Sequence, residues 1–517
     1  MENGANRDLI RSRHHYNKEG EMPDYDVIVI GAGNGGLTAS ASLAKRGAKV
    51  LLLERHNLPG GCATSFIRGR FEFEVALHQL SGLGTPEHPG PLRGLLGQLD
   101  VLDKIEFTEE DTLYRTMIPG EFEVTLKANR TEIIAALKEK FPDEADAIDK
   151  FFDLVWEFCL QMVSIFFMKD RDASREKYPT YCKYAIKSSK EVLDDYFKSP
   201  FLKLAIASYW GYIGLPPSRL TFTDMAMLLW AYTEFKPFHI KGGSQALSNA
   251  ILDTFIKAGG HPRFSCGAKK IVVSDGKVNG VITETGEEIT CNYVVSNAST
   301  ISTYMEMLDE EYVPDDKLKM LGSRSVGPSG FTVYCGLDCE PQDLGIDVST
   351  QFISLNADIE QQFATWRTFD RPEMCGMSCY DVADPDFSPA GACQVAIINL
   401  QFADHWLTIP PSQYAEAKYR YAQDLLDIVE KVYPGFGDAL EEVDVSSPIT
   451  HLRYLGHPGG GFYGFEKFAK DSNLFIPPTS GIEGLYFAGA WAGMAGFQPT
   501  LDSGVSAAKA IYRKMNE

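Results

Sequence analysis

The stretch Asp26-Val27-Ile28-Val29-Ile30-Gly31-Ala32-Gly33-Asn34-Gly35-Gly36 decides the fold. Its β-branched run predicts a buried parallel strand, and its glycines are spaced G-x-G-x-x-G. The first glycine allows a tight turn, the second lets the backbone approach a pyrophosphate, and the third lets a helix pack on the strand. The small residues 37–43 predict that helix, with its N-terminal amides facing the phosphates. We expect a dinucleotide-binding loop made by residues 31 and 33–36, and a glycine turn without nucleotide is the alternative.

The next stretch favours FAD over NAD. Residues 49–53 predict a second strand, and Glu54 follows it about 20 residues after the glycines, where a carboxylate would hold ribose hydroxyls. Arg55 comes next, and Gly60, Gly61 and Cys62 then form a second glycine-rich turn. This turn resembles the second phosphate-contacting loop of FAD-dependent oxidoreductases of the amine-oxidase and phytoene-desaturase type. FAD lies extended, so more than one loop must approach it without side chains in the way.

The C-terminal region resembles the remaining parts of the same FAD site. Residues 484–491 read as a short strand that ends in a glycine turn, and residues 498–504 open a last helix. In that superfamily the last helix points its N-terminus at the flavin, where negative charge develops on reduction. In the same superfamily, the backbone at the position equivalent to Ala268 contacts the adenine of FAD. The resemblance therefore adds to the predicted cofactor site Ala268, Gly489, Ala490, Gln498, Pro499 and Thr500.

His78 is the one candidate for acid–base catalysis. It ends a segment that resembles the aromatic-x-F-D-x-G-x-H pattern of the family, although Glu74 replaces Asp and Ala76 replaces Gly. His78 matches a histidine of the retinol-saturase-like and isomerase-like branches, which implies a place beside flavin or substrate. The alternative is a structural histidine whose hydrogen bonds are satisfied within the protein.

These motifs together resemble the phytoene desaturase, carotenoid isomerase and retinol saturase family of flavoproteins, over about residues 25–512. The implied fold is α/β, with a Rossmann-type FAD-binding domain, a β-sheet substrate domain and a helical cap. The expected boundaries are a flexible segment 1–24; an FAD domain 25–105, 238–300 and 480–517; a substrate domain 106–130 and 301–479; and a cap 131–237.

The predicted cap is helical and aromatic. Within residues 151–168 the strongly polar Asp153, Glu157 and Gln161 share one helical stripe, which makes a membrane span a poor interpretation. The helix is then either buried between layers or amphipathic on a membrane surface. Residues 169–203 carry nine basic and six acidic side chains, which could steer the cap to anionic lipid. An ordinary solvated face is the alternative.

The composition of the chain bears on its partners, its cysteines and its location. The chain has 517 residues and a formal net charge of −21, which argues against a nucleic-acid partner. Its ten cysteines lack C-x-x-C spacing, so we expect reduced thiols and no metal site. Residues 1–24 lack the apolar run of a secretory signal. We expect a cytoplasmic protein with peripheral membrane contact.

The resemblance implies an FAD-dependent oxidoreductase or isomerase that acts on C=C bonds of a long apolar polyene, through hydride exchange with flavin N5. The alternatives are an unsaturated fatty-acid isomerase, saturase or hydratase, which needs a cationic anchor at the cavity mouth, and a binding protein with structural FAD. No second G-x-G-x-x-G follows a strand. We therefore expect a diffusible or quinone-type electron acceptor, or a redox-neutral reaction. We also expect one long apolar tunnel between cap and sheet, closed near His78, Gly461 and Trp491.

Overall fold

The computed structural model describes residues 22–466, 479–493 and 495–517. Most of the predicted N-terminal segment 1–24 and part of the predicted substrate domain therefore lie outside the described residues. The described chain forms two seven-stranded sheets, two short ribbons and a group of helices.

The first sheet is built on the predicted nucleotide-binding strand, Tyr25–Ile30. This strand pairs in parallel with Val50–Leu53 on one side and with Glu288–Ser296 on the other. His261–Arg263 and Leu485–Phe487 extend the parallel part at its two edges. The antiparallel strands Ala268–Ser274 and Lys277–Thr283 extend from the first half of Glu288–Ser296. The central strands are buried because helices cover both faces, which explains their unbroken apolar runs.

Helices from both ends of the chain cover this sheet. Asn34–Ala44, Gly243–Lys257 and Phe497–Asn516 share one apolar layer with it. On the other face, Tyr304, Leu308 and Val313 pack against the sheet, from a segment that includes the helices Thr300–Met305 and Asp315–Gly322. The sequence predicts that residues after 300 belong to the substrate domain. In the structure, apolar side chains of this segment contribute to the core of the first sheet.

The second sheet is mostly antiparallel. In spatial order its strands are Leu440–Ser446, Ser329–Leu337, Cys393–Gln401, Met374–Cys379, Thr350–Ser354, Thr112–Ile118 and Phe122–Lys127. Only Thr350–Ser354 and Thr112–Ile118 pair in parallel. Alternate residues face opposite layers: Phe352 packs against the cap, while Ile353 packs with the long helix Pro411–Glu430. The sheet therefore separates the cap from that helix.

Two antiparallel ribbons connect these layers. Ser65–Arg68 pairs with Phe71–Glu74 just after the second glycine-rich turn. Phe107–Glu109 pairs with Phe238–Ile240, so the chain enters and leaves the cap side by side. The remaining described α-helices outside the cap are Pro91–Gln98, Ile359–Ala364, Ala403–Trp406 and Pro448–Leu455.

The cap is helical, as the sequence predicts. Its α-helices are Arg130–Lys140, Ala145–Met162, Pro179–Tyr184, Ser189–Tyr196, Pro200–Ala207, Trp210–Ile213 and Phe222–Glu234. The predicted helix 151–168 differs from the structure, because its α-helical part ends at Met162 and a π-helical turn, Val163–Phe167, follows. One face of Ala145–Met162 is buried in the cap core, as the burial interpretation requires. No helix within the described residues is long and apolar enough to cross a bilayer.

Candidate active site

Two glycine-rich loops face each other beyond the first sheet. Gly33 forms a bridge with Gly60, whose amide donates to the carbonyl of Ala32 at 2.8 Å. Gly60 has φ +121°, and a Cβ there would lie 2.0 Å from the carbonyl oxygen of Ala63. Only glycine fits this turn because backbone already occupies the space of a side chain. The structure thus brings the two predicted phosphate loops together.

Glu54 is positioned by backbone amides. One carboxylate oxygen accepts from Ala32 at 2.6 Å, and the other accepts from His56 at 2.8 Å. A carboxylate offers about four acceptor positions, so both oxygens keep capacity for further donors. This geometry fits the ribose hydroxyls that the sequence predicts. The neighbouring Arg55 donates to the carbonyl of Arg453 at 2.9 Å.

The helix Asn34–Ala44 and the last helix, Phe497–Asn516, cross at close range. A Cβ on Gly504 would lie 2.0 Å from the carbonyl oxygen of Gly35, so glycine is needed at the crossing. The hydroxyl of Thr38 donates to the carbonyl of Leu501 at 2.8 Å. The side chain of Asn34 donates to that of Thr500 at 3.3 Å. This contact places the start of the last helix beside the first glycine loop.

Asn297 is a site residue that sequence reasoning missed. It directly follows strand Glu288–Ser296. A Cβ added to Gly33 would lie 2.8 Å from its Nδ2, and one added to Gly35 would lie 2.6 Å from its Oδ1. The available signal was its position, because residues that follow parallel strands gather at the carboxyl edge of the sheet, where ligands bind.

A single cavity of about 1630 Å³ runs from these loops into the cap. Small-molecule pockets usually measure ~300–1,000 Å³, so this one has room for a dinucleotide and a second ligand. His78 lines it. So does every predicted cofactor residue except Gly36: Gly31, Gly33, Asn34, Gly35, Glu54, Arg55, Gly60, Gly61, Cys62, Ala268, Gly489, Ala490, Gln498, Pro499 and Thr500. Gly36 lies beneath the loop, where a Cβ would meet the carbonyl oxygen of Gly31 at 1.8 Å.

The part of the cavity inside the cap, called here the cap arm, is apolar. Its described lining contains no Lys, Arg or His, and Asp224 is its one charged residue. The side chain of Asp224 accepts from the hydroxyl of Thr221 at 2.8 Å at the start of helix Phe222–Glu234. The cap arm is lined by Met162, Phe167, Gly211, Tyr212, Ile213, Gly214, Leu215, Asp224, Met227, Leu228, Ala231 and Tyr232.

A model of the flavin-containing amine oxidoreductase family matches residues 35–512. The chain belongs to this family. Its cofactor is therefore FAD, and the enzyme is an FAD-dependent oxidoreductase. The glycine loops and the helix N-terminus at Asn34 suit the diphosphate of this group, because they offer close backbone approach and N-terminal amides. The held carboxylate of Glu54 suits its ribose hydroxyls.

Several proteins of known activity or known structure resemble the chain. All-trans-retinol 13,14-reductase of Danio rerio is 25% identical to the chain, over 95% of the chain and 86% of that protein. Prolycopene isomerase 1 of an Oncidium hybrid cultivar is 24% identical, over 91% of the chain and 80% of that protein. Cyclohexylamine oxidase from Brevibacterium oxydans is similar in structure, with a TM-score of 0.62, 14% identity, and 96% and 100% coverage of the two chains. The similarity confirms the predicted amine-oxidase-like fold.

His78 lies at the cavity wall, but its nitrogens are engaged or buried. Nδ1 is 3.1 Å from the hydroxyl of Tyr380, and Nε2 is buried without a partner among the described residues. The ring stacks on Tyr212 and Tyr380, with centroids 6.0 and 6.3 Å away. Burial lowers the pKa of His78 to about 4, so the ring is neutral at pH 7. His78 therefore presents a neutral aromatic surface to the cavity.

A buried carboxyl lies behind the cavity wall next to His78. Glu110 bonds the hydroxyl of Ser349, and its nearest amide donor is Gln79 Nε2 at 3.5 Å. Gln79 lines the cavity and accepts from the hydroxyl of Tyr209 at 3.3 Å. Burial raises the pKa of Glu110 to about 7. No sequence pattern pointed to this group, because Glu110 is one of three consecutive acidic residues, 109–111.

Proposed function

We propose that this enzyme acts on C=C bonds of a long apolar polyene, as an oxidoreductase or an isomerase. The names of the retinol reductase and prolycopene isomerase relatives support this substrate class. The observation that carries the proposal is the apolar cap arm, which continues directly from the FAD loops. Bound FAD would supply reversible hydride exchange with a carbon of the double bond.

The cap arm suits an uncharged chain better than a fatty acid. A carboxylate inside it would meet no described cation, and Asp224 would repel it. Each CH₂ of an apolar ligand contributes about 0.8 kcal/mol when buried, without any polar contact. The fatty-acid alternative therefore lacks the anchor that it needs in this arm.

The protein's own contribution is to bind, orient and exclude water. Tyr212, Tyr232 and Met227 give the cap arm flat or adaptable apolar walls against which a polyene can lie. Holding the reacting bond in one place lowers the entropic part of the barrier. We propose His78 as the residue that borders the reacting bond, acting through its ring surface or through the proton that it shares with Tyr380.

Anaerobic mixing with a panel of polyenes and fatty acids tests the proposal. We expect polyenes to change the absorbance of the bound flavin and to yield products of altered mass or geometry. Shortening the polyene should lower turnover as well as affinity, because binding energy remote from the reacting bond is lost. A short polar substrate turned over as fast as the long polyenes would contradict the proposal.

We further propose that the cap contacts membrane surfaces at the end of the cap arm. Leu160, Met168 and Ile186 are 55%, 76% and 77% exposed, and the first two are close in sequence to the lining residues Met162 and Phe167. The surrounding segment 169–203 has an excess of basic residues, although several are paired with acids, such as Lys187 with Asp195. Exposed apolar side chains with adjacent cations suit an anionic lipid surface.

Sedimentation with anionic vesicles tests the membrane proposal. We expect salt-sensitive binding that a Met168→Asp/Ile186→Asp variant loses. The matched control is Met305→Asp, which changes an exposed methionine outside the cap. Equal sedimentation with and without lipid would contradict the proposal. A cytoplasmic location and a diffusible or quinone-type electron acceptor stay predictions of the sequence.

A further inference from the structure

The cavity has a second group of lining residues that lies outside the cap. Ser65 and Phe66 directly follow the loop 60–64, and Ile67 and Arg68 continue along the same ribbon. Helix Pro411–Glu430 adds Tyr414 and Lys418, and helix Pro448–Leu455 adds Ile449, Thr450 and Arg453. Ile67 is 65% exposed and Tyr454, which also lines the cavity, is 53% exposed. We call this the ribbon mouth, because here the cavity reaches the surface beside the ribbon.

The ribbon mouth is cationic. Arg68 pairs with Asp444 at 2.7 Å. Lys418 donates to the carbonyl of Val445 at 3.3 Å and has no carboxylate partner within the described residues. Arg453, also exposed, likewise has no carboxylate partner in the described part of the chain. The lining acids here are Asp444, already paired, and Glu72, which accepts from Ser65.

This local excess of positive charge stands out on a chain of net charge −21. The overall field of the protein repels anions, so a cationic rim on a cavity is needed to attract one. The rim also contains the apolar or aromatic side chains Ile67 and Tyr454, which are exposed. A ligand with a flat or apolar body and negative charge matches both features.

The inference rests on the proposed function in its oxidoreductase form, because net oxidation or reduction of the substrate needs an electron carrier. In the oxidative direction two hydrogens, which amount to two electrons and two protons, leave the substrate. A carrier must take up both electrons while two protons pass to solvent. In the reductive direction the carrier supplies two electrons and solvent supplies two protons. No second dinucleotide fingerprint in the sequence offers an NAD(P)H site for this purpose.

We propose that the ribbon mouth, with Lys418 and Arg453 at its rim, is the docking site of a small anionic electron carrier. Substrate and carrier then reach the FAD site from different sides. The apolar cap arm takes the uncharged polyene, and the ribbon mouth takes the water-soluble anion. The two ligands need not displace one another during turnover.

Acceptors of opposite charge test the site on the flavin-loaded protein. The bound flavin is photoreduced under anaerobic conditions and mixed with hexacyanoferrate(III), an anion, or with a cationic ferrocenium derivative. The Lys418→Glu/Arg453→Glu variant should reoxidise at least tenfold more slowly with the anion and faster with the cation. The control Lys431→Glu reverses an exposed charge just beyond the same helix, away from the cavity lining. It should change either rate less than twofold, because charges beyond a Debye length of ~10 Å are screened.

Binding without electron transfer gives an independent measurement. Calorimetry with hexacyanoferrate(II), which cannot accept electrons, should show binding to the oxidised protein that the double variant loses and the control keeps. Equal binding by all three proteins, or equal rate losses in variant and control, would overturn the proposal. Tighter, charge-dependent binding of oleate with anaerobic bleaching of the flavin would also overturn it, since the mouth would then serve a fatty-acid substrate.

The response of the flavin to polyenes tests the proposed function separately from the ribbon mouth. If all three proteins keep their flavin and respond alike to polyenes, failure at the ribbon mouth leaves the polyene proposal intact. If polyenes produce no response in wild-type protein while the charge effects persist, the polyene proposal fails and the docking site stands.

Discussion

The two halves of the cavity are built from different materials. At the FAD end the ligand-facing surface is largely backbone, because Gly31, Gly33, Gly60 and Gly489 leave no side chains in the way. In the cap arm the surface is made of aromatic and aliphatic side chains supplied by helices. At the FAD end, replacing a glycine would put a side chain into the space that the ligand needs. The surface of the cap arm depends on total shape and polarity, which many sequences can provide.

Gly33→Val should have the largest effect, because it fills the FAD end. The new side chain would begin 2.8 Å from Asn297 Nδ2 and project into the space between the two glycine loops. We expect purified protein without bound flavin, measured by absorbance near 450 nm. The control Gly94→Ala should keep its flavin, since a Cβ there meets nothing within 4 Å. Full flavin content in Gly33→Val would show that this loop does not hold the cofactor.

Met227→Glu should weaken polyene binding in the cap arm and leave the FAD end unchanged. An unpaired carboxylate in the cap arm makes that surface costly to dehydrate. We expect at least tenfold weaker polyene binding with normal flavin content, measured by titration of the flavin spectrum. Met227→Leu, of similar volume, should bind within about threefold of wild type. If Met227→Glu lost bound flavin as well as polyene binding, the two halves of the cavity would not be independent.

Glu110→Gln tests the buried carboxyl behind the cavity wall next to His78. Burial raises the pKa of Glu110 from 4.5 to about 7. Between these two pH values the folded protein keeps a proton on Glu110 that the unfolded chain has released. Wild-type stability should therefore fall, relative to Glu110→Gln, as pH rises through this range. The difference in unfolding free energy should change by on the order of 3 kcal/mol between pH 4.5 and 8.

Urea unfolding at both pH values measures this change. Ser349→Ala removes a hydroxyl whose hydrogen bond opposes part of the rise in the pKa of Glu110, so its pH dependence should be at least as strong as that of wild type. A difference between Glu110→Gln and wild type that is the same at both pH values would contradict the raised pKa.

Glu54→Ala should affect the FAD end less than Gly33→Val does. It removes charge-assisted hydrogen bonds to the ribose, and the loss of one such bond, worth ~1.5–3 kcal/mol, lowers flavin affinity about 10- to 150-fold. Fluorescence titration of the apoprotein with FAD measures the dissociation constant. Glu54→Gln should lose less, because the amide keeps one acceptor oxygen. An unchanged dissociation constant in Glu54→Ala would place the ribose elsewhere.

Sequence reasoning succeeded where a local pattern has a single physical meaning. The glycine spacing at 31–36, the run before it and Glu54 after it predict strand, turn, helix and ligand, and the structure has them in that order. The helix 151–168 was less well predicted, because its change to a π-helical turn after Met162 has no clear sequence signal. Asn297 was missed because one asparagine after a strand is common.

The sequence by itself determined the nucleotide-binding core, since glycine conformations and strand burial depend on neighbours within a few residues. Only the tertiary structure decided the rest of the site. The crossing of Gly35 and Gly504, the bond between His78 and Tyr380, and the position of Glu110 behind Gln79 all join residues far apart in the chain. The cationic rim likewise combines Arg68, Lys418 and Arg453 from three separate elements. Such contacts depend on how whole layers pack, and no local pattern encodes that packing.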